Sequence, residues 1–123
     1  MGTIFKLTPD GVLTTLHSFN RTDGTNPSGT LVQGRDGFFY GTTQAGGASV
    51  NCSGGCGTIF KVSPAGALTS LHSFSGRDGE TPYAGLLKGS DGFFYGTTVD
   101  GGTYGYGTIF RMVAPKPCTG CRP

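Results

Sequence analysis

No stretch of this sequence approaches the ~20 apolar residues that a membrane-crossing helix needs. No basic n-region and apolar h-region open it. Neither an export signal nor a span is therefore expected within the 123 residues. Charge is scarce: Lys plus Arg total 9 and Asp plus Glu 7, a net +2. With no Lys/Arg cluster, this argues against nucleic acid or acidic lipid as a partner. There is no Ser-His-Asp order, no paired-carboxylate motif and no P-loop. EF-hand spacing is also absent. Turn formation accounts for the Asp-Gly pairs at Asp23, Asp36, Asp78 and Asp91. No run of ten or more residues combines helical spacing with caps, so no helix is expected.

What the sequence has is glycine and repetition. Its 24 glycines do not recur at every third position, which excludes collagen. They sit beside aromatic and β-branched residues, unlike a disordered linker. "GTIFKLTPDGVLTTLHSF" (2–19) returns as "GTIFKVSPAGALTSLHSF" (57–74), and "GRDGFFYGTT" (34–43) as "GSDGFFYGTT" (89–98). Ile4 to Ile59 is a step of 55 and Ile59 to Ile109 a step of 50. A period of this length belongs to propellers, solenoids or arrays.

Each unit divides into four short runs rich in Phe, Ile, Leu, Thr and Tyr, here labelled a to d, with turn residues between them. The fold class expected is all-β, with four-stranded antiparallel blades of the propeller type. The phase is unusual. Residues 1–20 hold a partial repeat (c, d), 21–75 a full repeat with a Cys-containing loop, and 76–112 a partial repeat (a, b, c). A Pro/Cys tail occupies 113–123. This is about two and a quarter units, where closed propellers typically need 4–8 blades. The open flanks would expose apolar surface, so completion by association between chains is expected, as a ring or a filament. One "GTIF" strand is then redundant, and the sequence does not say which. Strict alternation would place Leu13 with Phe19 on one face, and Val12 with Leu16 on the other.

"GTIFKLTPDGVLTTLHSF", "GSDGFFYGTT" and "GYGTIF" occur in the same order more than once. In these motifs the chain resembles the GloVer tandem repeat of bacterial choice-of-anchor proteins over residues 2–112. The resemblance implies export and display at the cell surface. It brings no catalytic residues, and "VAPKPCTGCRP" is not an anchor.

Cys52, Cys56, Cys118 and Cys121 admit a four-thiolate zinc site, a redox CxxC, free or intermolecularly paired thiols, or structural disulfides. The pairs lie far apart in the unit, and the tail offers no helix N-terminus, so disulfides of an oxidising compartment are the preferred reading. Three pairings are possible, and a 52–56 bond would stiffen an exposed tip. His17 and His72 recur in "LHSF". No Asp or Glu is recognised as recurring with them, so a structural role is expected. The Phe residues of "FFYGTT" are expected between blades, whereas Tyr104 and Tyr106, in a Gly-rich loop, are the ligand-contact candidates. No metal and no cofactor is expected. The reading is a non-enzymatic, extracellular or surface-displayed module that associates with itself in a structural or binding role. The alternative is a carbohydrate-binding or enzymatic propeller whose site forms where copies meet.

Overall fold

The computed structural model describes residues 1–113, and every regular element among them is a strand. The strands are β1 (Thr3–Leu7), β2 (Leu13–Ser18), β3 (Thr25–Gln33), β4 (Phe39–Ala45), β5 (Thr58–Val62), β6 (Leu68–Ser73), β7 (Glu80–Pro82), β8 (Leu87–Lys88), β9 (Phe93–Asp100) and β10 (Thr108–Val113). They form three antiparallel sheets, none of them closed. The first pairs β1 with β2. The second runs β3-β4-β5-β6. In the third, β7 and β8 both pair with β9, which pairs with β10.

Turn chemistry sets these hairpins. Thr8 N–H donates to Val12 O at 3.0 Å and Gly11 N–H to Thr8 O at 2.9 Å. Ser63 with Ala67 and Gly66 with Ser63 repeat the pattern at 2.9 Å each. At the Asp-Gly turns, Gly34 N–H donates to Phe38 O and Gly89 N–H to Phe93 O, both at 2.8 Å.

Strand a departs from the sequence expectation. It begins earlier, at Thr25 and Glu80, and in the third sheet it is split in two. The cause lies in Asn26 and Thr81, equivalent residues with φ of +57° and +56°. Each turns its N–H onto the neighbouring sheet: Asn26 donates to Met1 O at 2.7 Å and Thr81 to Cys56 O at 2.9 Å. The following prolines need no ladder partner because strand a is an edge. Further along, the first strands nearly touch. A Cβ on Gly29 (φ +77°) would lie 2.2 Å from Gly85 N, so only glycine fits there.

Two apolar layers hold the sheets together. Ile4, Phe19, Phe60 and Val62 fill the first, with Leu16, Leu31, Phe39 and Leu68 against them. Tyr40, Cys56, Ile59, Phe74, Leu86 and Phe94 fill the second. The second sheet is thus covered on both faces. The alternation expected for β2 fails. The register shifts between Ile4 and Phe5, leaving Leu16 as an extra residue between the partners His17 and Thr15. This bulge puts Leu16 on the same side as Phe19, while Leu13 is 62% exposed. Leu71 takes the same place in β6, where Ile59 pairs with His72 and Phe60 with Ser70.

Candidate functional site

The most informative surfaces are the two outer sheet faces. Equivalent residues have opposite fates at the interior and at the ends. Phe60 packs against the first sheet and is 1% exposed, whereas Phe5 is 59% exposed. Ile59 packs against the third sheet at 4%, whereas Ile109 is 83% exposed. Leu7 and Leu13 are likewise open where Val62 is buried and Leu68 packs into the layer. One end presents Phe5, Leu7 and Leu13, and the other presents Ile109 and Leu87.

Two cavities lie beside the outer sheets' edges. One, of ≈340 Å³, sits between β6 and β10 and is lined by Leu71, His72, Phe74, Phe110, Arg111 and Met112 among others. The other, of ≈230 Å³, sits between β1 and the second sheet, lined by Ile4, Phe5, Leu31, Thr42 and Phe60 among others. At the first layer, Leu68 of strand d packs where the larger cavity stands open at the second. At the second layer, Tyr40 of strand b stacks on Phe94, with ring centroids 4.9 Å apart. At the first layer the equivalent of Phe94 is Phe39, which is only half-buried.

Each histidine has an acid partner, contrary to expectation. His17 Nε2 lies 2.7 Å from Asp23 Oδ2, and His72 Nε2 lies 2.7 Å from Asp78 Oδ2. The signal was the repeated H-x₅-D of "HSFNRTD" and "HSFSGRD". The imidazoles also meet Phe19 and Phe74 edge-on, at 4.9 and 5.0 Å. Partial burial works to raise the Asp78 pKa. The Ser75 backbone N–H, His72 and the Ser75 hydroxyl outweigh it and hold the carboxyl below 3.8. Each pair joins the end of strand d to the loop that leads into the next strand a, six residues on.

A second repeated pair joins Tyr40 to Asp36 (2.7 Å) and Tyr95 to Asp91 across the Asp-Gly turns. Burial, then the Asp36 bond and charge, pushes the Tyr40 phenol well above its ordinary range. The Tyr95 hydroxyl in turn lowers the Asp91 carboxyl. These acids therefore do more than shape turns.

Cys52 and Cys56 form a disulfide. Cys56 is 1% exposed and belongs to the second layer, so the bond ties a loop into the core as well as stiffening a tip. Cys118 and Cys121 lie outside the described residues. Among those described, no group of three His, Cys, Asp or Glu side chains could hold a metal ion. Tyr104 and Tyr106 stand 85% and 90% exposed in the β9–β10 loop. No described helix is long and apolar enough to cross a membrane.

Three antiparallel sheets, stacked by one repeated set of contacts and open at both ends, define an all-β repeat protein. The chain belongs to the Gloeobacter/Verrucomicrobia repeat family, whose profile matches residues 1–119. This agrees with the GloVer resemblance of its motifs. Comparison with curated proteins gives no match, and comparison with solved structures gives none either.

Proposed function

We propose that the chain is a non-enzymatic building block of an extracellular or cell-surface array. Its repeats act as propeller-type blades, and copies complete one another end to end. The observation that carries this is the exposure of Phe5 and Ile109 at positions whose equivalents, Phe60 and Ile59, are buried. An interface made once inside the chain can be remade between chains, because the two ends present its two complementary halves. Such a head-to-tail contact closes into a ring or runs on as a filament, according to the rotation per step. The Cys52–Cys56 disulfide fits an oxidising compartment.

Native mass spectrometry of the full chain tests this reading. A discrete trimer or tetramer is expected for a ring of six or eight blades, and an unlimited ladder for a filament. A monomer at every accessible concentration would overturn it. Exposed aromatics on a loop also favour a ligand contact at Tyr104 and Tyr106. Replacing both by Ala should abolish carbohydrate retention on a glycan array and leave assembly intact.

A further inference from the structure

If copies associate as proposed, the remaining question is whether their outer faces merely stack or their sheets merge. Stacking would leave both cavities open, because each lies beside a sheet edge inside the chain rather than on an outer face. Merging fills both. We infer that the β1–β2 hairpin of one copy inserts against β9 of a second copy, taking the place of that copy's β10. This yields one four-stranded sheet in the order β7/β8-β9-β1-β2, with its last two strands from the incoming chain.

The second sheet supplies the template. There β4 pairs with β5 through Phe39↔Val62, Tyr40↔Lys61 and Gly41↔Phe60. The corresponding pairs between copies are Phe94↔Leu7, Tyr95↔Lys6 and Gly96↔Phe5. Gly96 already makes room for an aromatic ring from strand c: a Cβ there would lie 2.4 Å from the Phe110 ring. Phe5 would occupy that space, Leu7 would stand in for Met112, and Leu13 would fill the cavity beside Leu71 and Phe74. At the other side of the merged sheet, Tyr95 would stack on Phe39 as Tyr40 stacks on Phe94.

Which strand c leaves follows from how each is held. β1 is closed into a tight hairpin with β2, buries Ile4 to 5% exposure, and accepts the Asn26 N–H at Met1 O. β10 has no fully buried residue, and its Ile109 points into solvent. Expelling β10 gives up the Phe110 and Met112 packing on the second layer, and a near copy of its own sequence restores those contacts on β9.

Two measurements on the full chain decide the matter. Lys6→Cys combined with Tyr95→Cys should form disulfide-linked multimers under mild oxidation, with the 6–95 linkage mapped by mass spectrometry. Within one chain the second sheet separates these residues. In the unmutated assembly, amides of Thr108–Val113 should exchange at least ~10-fold faster than those of Thr3–Leu7. If multimers are present but no 6–95 linkage forms and β10 is protected, the strand exchange is wrong while self-assembly stands. If the chain is monomeric throughout, both fail.

Discussion

Phe94 and Phe39 are the same residue of the repeat, 55 positions apart, and differ mainly in what covers them. Phe94 is 0% exposed and stacks on Tyr40, whereas Phe39 is half-buried beside an open cavity. Replacing Phe94 by Ala deletes a fully packed ring and leaves a hole, which costs ~3–5 kcal/mol. Set against a typical domain stability of ~5–15 kcal/mol, that is at least about a fifth of the total. With a urea slope of ~1–3 kcal/mol/M, the midpoint should fall by ~1–5 M. Phe39→Ala removes only part of a transfer term, ~1–1.5 kcal/mol, because its site already opens to solvent. The assay is urea unfolding followed by tyrosine fluorescence, in dilute samples and again at high protein concentration. Dilute, the Phe94 variant should lose about two to five times as much stability as the Phe39 variant. Concentrated, the Phe39 loss should grow as a neighbouring copy covers the ring. Equal losses for the two variants in dilute solution would refute the assignment of one covered and one uncovered layer.

Thr81 is β-branched yet held at φ +56°, where the first repeat has Asn26. Thr81→Asn should therefore raise stability by about 1 kcal/mol in thermal melts, and a loss would show that the threonine makes contacts worth more than the strain. Because the folded Asp78 carboxyl titrates below 3.8, its stabilisation is full above that pH and is lost as pH falls through the lowered value. Asp78→Asn should flatten this acid limb of the stability–pH curve and cost under about 1 kcal/mol at neutral pH, since the pair is well exposed. An unchanged acid limb would remove Asp78 as its source. Reduction of Cys52–Cys56 releases a small loop and should cost about 2 kcal/mol without unfolding the sheets, as followed by far-UV circular dichroism. Complete collapse on reduction would show that the disulfide holds the whole stack.

The architecture was legible because it is written more than once. "GTIF", "LHSF" and "FFYGTT" fall on β1/β5/β10, the ends of β2/β6, and β4/β9, and the Asp-Gly and Pro-x-Gly turns sit where the sequence places them. Facing was less legible. One inserted residue at Leu16 reverses the side on which later side chains emerge, and period-two reasoning has no way to see a bulge. The His–Asp pairs are hard to see in the sequence for a related reason. Asp23 and Asp78 belong to Asp-Gly pairs, and turn chemistry hides their second use across six residues. The cavities could not be read at all, because they arise from where the sheets' edges fall relative to their neighbours.

Besides the apolar layers, each joint between successive sheets has a main-chain bond: the carbonyl of Met1 or Cys56 receives the amide of Asn26 or Thr81. The acceptor's side chain does not enter that bond, while the donor must tolerate a positive φ, as Asn26 and Thr81 do at +57° and +56°. A duplicated unit can consequently vary the side chain at the acceptor, and at the donor among residues that accept a positive φ, and still lie at the same angle to the one before. Curvature in a growing tandem array would then be inherited from the polypeptide backbone, leaving mutation free to tailor the loops while the pitch stays put.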